Sequence, residues 1–145
     1  PIGEVVSTPG FGTGFRNIFH TPGPQWEGGG KGESEDLAAC YWNSMNKANM
    51  YNISSIGFCS ISTGIYGYPL DQAADIAVNT VINYLKTANE DVGVSNTDHV
   101  VFAMFTESEY QVYLSALENA FEKYILEKKA HDNRLWHRIL RWINR

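Results

Sequence analysis

The sequence of 145 residues contains few cysteines, few basic residues and no long apolar run. Its two cysteines, Cys40 and Cys59, both lie among apolar residues, which is typical of buried, reduced thiols and argues against a disulfide framework. No apolar run reaches the ~18 residues that a membrane-spanning helix requires. The Gly-rich N-terminal stretch has no signal-peptide pattern. We therefore expect a cytoplasmic protein without a membrane span.

Basic residues are outnumbered by acidic ones, 11 against 16, which gives a formal net charge of −5. This balance argues against general nucleic-acid binding, because that interaction requires clustered cations to neutralise backbone phosphates. The charge is unevenly distributed, since residues 122–145 hold seven of the basic residues and only three acidic ones. We expect a basic, amphipathic helical tail over 127–145 that docks on its own domain, with a partner protein or an anionic surface as the alternatives.

Hydrophobic residues make up 43% of the sequence, enough for one globular domain with a core. Runs of β-branched and aromatic residues alternate with segments of helical periodicity, a pattern that predicts an α/β fold with a mainly parallel sheet. The predicted strands are 4–8 and 15–21, joined as a hairpin by a Gly-rich turn, followed by 56–61 and 99–105. The predicted helices are 34–50, a second that opens at Pro69, a third after the strand 99–105 and a fourth from Asp132. The first is predicted to pack through one face that comprises Leu37, Cys40, Tyr41, Ser44, Met45 and Ala48. The third is predicted to pack through one face that comprises Tyr110, Tyr113, Leu114, Leu117, Phe121 and Tyr124.

The most informative segment lies where the third predicted strand meets the second helix, over Ser55–Pro69. The apolar residues at its start suit a strand that is covered on both faces. Gly64 and Gly67 permit backbone conformations that are costly for other residues, so that successive N–H groups can point at one anion. A helix that begins at Pro69 adds partial positive charge beside them. The segment predicts an anion site, with an ordinary tight strand-to-helix connection as the alternative.

Other candidate motifs are weaker. Gly30-Lys31-Gly32 lacks the Ser or Thr and the upstream Gly of a phosphate-binding P-loop. We interpret His20 as a hydrogen-bonded core histidine rather than a catalytic base. Cys59 lacks both a nucleophile elbow and a recognisable base, so we predict that it is buried and unreactive. The histidines show no spacing typical of zinc ligands, and we predict neither a metal nor a cofactor.

The segment Ile61–Pro69, followed by an Ala-rich helix, resembles the diphosphate-binding loop of macro domains, which bind ADP-ribose. The resemblance extends from Pro1 to about Tyr124 and includes Ile18–Trp26, Leu37–Tyr41 and His99–Thr106. It is closest to the macro domains that remove ADP-ribose from proteins or deacetylate O-acetyl-ADP-ribose. The resemblance implies a three-layer α/β/α macro-type domain over residues 1–126, which holds ADP-ribose at the C-terminal ends of its strands.

The resemblance also implies the residues of the binding site. Tyr66 is expected to pack over the phosphates and the distal ribose. Phe105 is expected to stack on adenine, and a core Phe at the end of a strand is the alternative. The residues implied to bind the ADP-ribose diphosphate are Ser62, Thr63, Gly64, Ile65, Tyr66 and Gly67.

Part of the family pattern is absent from this sequence. The family's N-terminal strands and first helix carry an Asp that recognises adenine, an Asn-Ala-Ala-Asn motif and a Gly-rich catalytic loop. The resemblance therefore implies an ADP-ribosyl hydrolase only when that segment is supplied, with no catalytic residue in this chain. A non-catalytic ADP-ribose reader and an interaction scaffold are the alternatives. We expect a complementing chain or a second copy to cover the sheet edge that the missing strands leave.

Overall fold

The structure is a computed structural model that describes residues 1–90, 96–97 and 99–127. Its strands are β1 (Val6–Pro9), β2 (Asn17–His20), β3 (Ser55–Phe58) and β4 (His99–Phe102), and its helices are α1 (Glu33–Met50), α2 (Leu70–Glu90) and α3 (Glu107–Glu127). These seven elements occur in the predicted order, although the strands are shorter than predicted. The helix predicted from Asp132 lies outside the described residues, and the division into a domain 1–126 and a tail 127–145 stays a prediction.

β1 and β2 form the predicted antiparallel hairpin, in which Val6 lies opposite His20 and Pro9 lies opposite Asn17. The turn begins at Gly10, whose N–H donates to the carbonyl of Arg16 at 3.1 Å. A Cβ at this position would lie only 1.7 Å from the carbonyl oxygen of Phe15. Only glycine fits there, so the turn sequence fixes the hairpin.

β3 and β4 form a separate parallel pair, and the helices cover one face of it. Phe58 and Val100 are buried on the helix side, whereas Gly57 is exposed and Val101 is 43% exposed on the other side. The prediction of a strand covered on both faces is therefore wrong for the described residues. Alternate residues of a strand face opposite sides, so an apolar run by itself cannot show whether both sides are packed.

α2 is the central helix and packs against both α1 and α3. Its small side chains allow close approach, and five of its residues are completely buried: Ala73, Ala74, Ala77, Val78 and Val81. The predicted inner face of α1 is confirmed, since all six of its members are buried: Leu37, Cys40, Tyr41, Ser44, Met45 and Ala48. α3 buries Tyr113 and Tyr124 but leaves Tyr110, in its first turn, 50% exposed, contrary to prediction. Periodicity marks the inner face but not how far along the helix the packing extends.

The two cysteines are both free and differ in burial. Cys40 is buried as predicted, and burial raises the pKa of its thiol. Cys59 is exposed, which contradicts the prediction, because it follows β3 beside the uncovered face of the sheet. Of the helices in the described ranges, none is apolar over a long enough stretch to cross a membrane.

Candidate functional site

The candidate site is the strand–helix loop, residues 59–69, which connects β3 to α2. Two internal backbone hydrogen bonds hold its curve, from Gly67 N–H to the Gly64 carbonyl at 2.9 Å and from Tyr68 N–H to the Ser62 carbonyl at 3.0 Å. Ser62 and Gly67 both have a φ of 67°, in the left-handed region. Gly67 thus supplies the predicted backbone freedom, but Gly64 does not adopt a left-handed φ. The other left-handed position is Ser62, where the Cβ makes this conformation strained.

The curve leaves a row of backbone donors unused. The five consecutive N–H groups of residues 62–66 donate to no acceptor within the described part of the chain. The loop is exposed from residue 64 to residue 67, with Ile65 fully exposed and Tyr66 45% exposed. Unpaired backbone donors beside the N-terminus of a long helix form an anion-binding arrangement. The structure therefore brings together all six predicted loop residues in a geometry that suits a phosphate group.

Two buried tyrosines hydrogen-bond to the first residues of the strand–helix loop. The Tyr41 hydroxyl of α1 accepts from the Ile61 N–H at 3.2 Å and donates to the Cys59 carbonyl at 3.4 Å. The Tyr113 hydroxyl of α3 lies 3.0 Å from Ser60 Oγ. Burial raises the pKa of both tyrosines, which keeps their hydroxyls neutral. We did not predict this network from sequence, although two tyrosines on buried helix faces indicate hydroxyls that require partners.

A second support comes from the chain that follows β2. A Cβ at Gly23 would lie 2.3 Å from Ser62 Oγ and 2.7 Å from Ile61 Cγ2. The N–H of Trp26 donates to the Tyr66 carbonyl at 2.9 Å. Residues 23–26 therefore lie directly against the strand–helix loop, and the absence of a side chain at Gly23 permits this contact.

Phe105 lies at the same edge of the sheet as the loop, because β3 and β4 are parallel and both segments follow the strand ends. Its side chain is 96% exposed, which excludes the alternative of a core phenylalanine. The backbone is held by a capping box at the start of α3, in which the Glu109 carboxylate accepts from the N–H groups of Phe105 at 2.9 Å and Thr106 at 3.0 Å. An ordered backbone thus presents an exposed ring at the edge that carries the strand–helix loop.

The Gly-rich segment 27–32 has a different role. Its N–H groups surround the buried carboxylate of Glu33, which accepts from Glu27 at 3.0 Å, Gly29 at 3.0 Å and Lys31 at 2.6 Å. Backbone hydrogen bonds, first from its own N–H and then from Lys31, lower the pKa of Glu33 from 4.5 to about 2. The N–H groups of this segment already bind the Glu33 carboxylate. This occupancy is a physical reason why Gly30–Gly32 does not act as a phosphate-binding P-loop.

His20 is hydrogen-bonded, as predicted, but it is not in the core. Its Nε2 lies 3.0 Å from Thr8 Oγ1, across the hairpin, and the side chain is exposed. The short hairpin presents this end of β2 to solvent, so the apolar character of the strand is misleading here.

Comparison of the sequence with known protein families shows which family the chain resembles. The Macro domain family model matches residues 1–77. A macro domain-containing protein of Xanthomonas axonopodis pv. citri is 42% identical over 117 residues, which cover 81% of this chain and 62% of that protein. A protein-ADP-ribose hydrolase of Staphylococcus aureus is 37% identical over 123 residues, which cover 83% of this chain and 44% of that protein.

Solved structures of macrodomains have a fold similar to that of this chain. The Oceanobacillus iheyensis macrodomain with ADP superposes with a TM-score of 0.75 and 41% identity, covering 85% of this chain and 61% of that one. The Trypanosoma brucei macrodomain in complex with ADP-ribose gives a TM-score of 0.71 and 33% identity, covering 81% and 46%. The fold is thus an α/β fold of the macro type, as predicted. The chain belongs to the macro domain family, and it spans about 62% of the length of the first of these relatives.

Proposed function

We propose that the strand–helix loop binds the diphosphate of ADP-ribose. The observation that carries this proposal is the row of five N–H groups at residues 62–66, which find no acceptor among the described residues. Two phosphate groups present enough acceptor oxygens to satisfy such a row, and α2 begins directly after it. The support from Tyr41, Tyr113 and residues 23–26 preorganises the donors, so that little ordering cost remains at binding.

The other parts of ADP-ribose have matching surfaces. Tyr66, exposed within the loop, would pack over the phosphates and the distal ribose. Phe105 offers an open aromatic face for adenine at the same sheet edge. The solved macrodomains that contain ADP and ADP-ribose support this choice of ligand over other diphosphates.

Calorimetric titration of the chain tests the proposal. We expect ADP-ribose and ADP to release heat and AMP, which lacks the second phosphate, to bind far more weakly. Residues 59–69 contain no Lys or Arg, so the affinity should depend only weakly on salt. A well-folded chain that gives no heat with ADP-ribose would contradict the proposal and leave the scaffold alternative.

We further propose that the domain removes ADP-ribose from modified proteins once the family's N-terminal segment is supplied. The hydrolase of Staphylococcus aureus supports this reading. In this proposal the strand–helix loop holds the diphosphate while a water molecule attacks the anomeric carbon of the distal ribose. The bond from that carbon to the modified side chain breaks, and the side chain leaves with a proton from the water. This chain contributes positioning and no catalytic group. Release of ADP-ribose from a modified protein should occur only with the added segment. If binding is retained but no release occurs in either case, the domain is a reader of ADP-ribose.

A further inference from the structure

The short segment between β4 and α3 carries the exposed ring of Phe105. The segment leaves the sheet at Ala103, whose N–H donates to the Phe58 carbonyl at 2.8 Å. Met104 packs against the hydrophobic core, whereas Phe105 is 96% exposed. The ring therefore gains almost no support from packing within the described residues, and its position depends on how its backbone is held.

The backbone of Phe105 is held by more than an ordinary helix cap. Thr106 Oγ1 accepts from the Glu109 N–H at 3.2 Å, and the Glu109 carboxylate accepts from the Thr106 N–H at 3.0 Å. These two reciprocal bonds complete a capping box. The same carboxylate oxygen also accepts from the Phe105 N–H at 2.9 Å, a bond that the capping box does not require. Glu109 thus makes an additional contact with the residue that carries the exposed ring.

The ring itself is left open. A capping box is often accompanied by an apolar contact between the residue before the cap and the fourth residue of the helix, which are Phe105 and Tyr110 here. Both side chains are aromatic, yet they are 96% and 50% exposed. At that exposure the Phe105 ring is not packed on the helix. Its backbone is fixed while its face stays available to a ligand.

The same face of α3 contacts the strand–helix loop one turn further along. Tyr113 follows Glu109 by four residues, so the two side chains project from neighbouring turns of one helix face. The Tyr113 hydroxyl lies 3.0 Å from Ser60 Oγ, and Thr63 Oγ1 donates to that Ser60 oxygen at 2.8 Å. Two successive turns of α3 therefore contact both parts of the proposed site, the exposed ring and the strand–helix loop.

We infer that Glu109 is a positioning residue for the adenine of the ligand. It acts through Phe105, whose backbone it fixes so that the ring keeps a constant position relative to the strand–helix loop. The inference rests on the proposed binding of ADP-ribose at that loop. Because Glu109 and Tyr113 belong to one helix, α3 sets the spacing between the diphosphate end and the adenine end of the site. A ring that is fixed in advance binds adenine without the cost of ordering its backbone.

Calorimetric titration of the full chain with ADP-ribose tests this role. Glu109→Ala removes the carboxylate and should weaken binding ~5- to 20-fold, because binding must then order about one further residue. Glu109→Gln keeps an acceptor oxygen and should bind within ~3-fold of the original chain. Thermal unfolding confirms that each variant is folded at the temperature of the titration.

Two control variants change the same turn of α3 without removing the contact to Phe105. Thr106→Ala removes the other half of the capping box and should bind ADP-ribose within ~2-fold of the original chain. Glu107→Ala removes a carboxylate that accepts from the Gln111 side chain, and it measures the effect of charge alone, also within ~2-fold. Equal losses of affinity in Glu109→Ala and Thr106→Ala would reduce Glu109 to a helix cap and overturn the inference.

A double variant shows whether Glu109 acts through the ring. In the Phe105→Ala background, Glu109→Ala should cause no further loss of ADP-ribose affinity, because the group that it positions is gone. A loss that persists without the ring would overturn the inference. So would a Glu109→Ala variant that binds as tightly as the original chain.

Hydrogen exchange in the ligand-free protein separates this inference from the proposed function. The amide of Phe105 should be protected in the original chain and should exchange at least ~10-fold faster in Glu109→Ala. Rapid exchange of this amide in the original chain would overturn the inference even where ADP-ribose binds. If the amide is protected but ADP-ribose gives no heat, the proposed function is wrong and Glu109 serves only as a helix cap.

Discussion

Gly64 provides the sharpest test of the proposed anion site, because it lies at the centre of residues 62–66, whose N–H groups have no acceptor in the described part of the chain. A Cβ built at this position meets no heavy atom within 4 Å, and its φ is outside the left-handed region. Replacement by a larger residue should therefore leave the fold intact. Gly64→Ala is expected to change the free energy of unfolding by less than ~1 kcal/mol, in the stabilising direction, because it restricts the unfolded chain.

Gly64→Glu adds a negative charge beside the proposed diphosphate. At a separation of ~5 Å and an effective dielectric constant of about 20–80, the repulsion amounts to ~1–3 kcal/mol for each phosphate charge. This energy corresponds to binding that is ~5- to 150-fold weaker per charge. Part of the loss should be recovered at high salt, which screens an exposed charge.

Calorimetric titration of ADP-ribose into four proteins measures the effect: the original chain, Gly64→Ala, Gly64→Gln and Gly64→Glu. Gly64→Gln has nearly the size of Gly64→Glu without its charge, so the difference between these two isolates the electrostatic contribution. Thermal unfolding confirms that each variant is folded. If Gly64→Glu binds as tightly as Gly64→Gln, the diphosphate does not lie on the strand–helix loop and the reasoning is refuted.

Four further predictions concern the groups around the loop. Phe105→Ala should change the free energy of unfolding by less than ~0.5 kcal/mol, because the side chain is 96% exposed. It should weaken ADP-ribose binding by ~1–3 kcal/mol, because stacking on the ring is lost. Binding of pyrophosphate, measured by the same titration, should be unchanged. Tyr113→Phe removes the hydroxyl that contacts Ser60 and should cost ~1 kcal/mol in urea unfolding, with a few-fold loss of ADP-ribose affinity; unaltered affinity would separate the network from the site. Gly23→Ala places a methyl group 2.3 Å from Ser62 Oγ and should both destabilise the fold by ~1–3 kcal/mol and weaken binding. The pKa of Glu33 falls from 4.5 to about 2 on folding. Its carboxylate therefore stabilises the folded state fully above about pH 4.5, and this stabilisation is lost as the pH falls toward 2. Glu33→Gln should make the urea midpoint depend less on pH in this range.

Local patterns in the sequence determined much of this protein. Strand and helix order follows from hydrophobic periodicity, which is a property of neighbouring residues. The hairpin follows from a glycine that no other residue can replace, and the curve of the strand–helix loop follows from hydrogen bonds within its own short segment. The inner face of α1 was predictable for the same reason, since one helix face collects the apolar side chains of the segment.

Contacts between distant segments were decided only by the tertiary structure. The exposure of Cys59 and Val101 depends on whether anything packs on the second face of the sheet. The residues of the strand do not show whether that face is covered. The hydrogen bonds of Tyr41 and Tyr113 to the loop require α1 and α3 to pack next to it. The contact at Gly23 requires the segment after β2 to lie against the loop. The backbone donors of the loop thus follow from the local sequence, whereas the packing of distant elements fixed their positions.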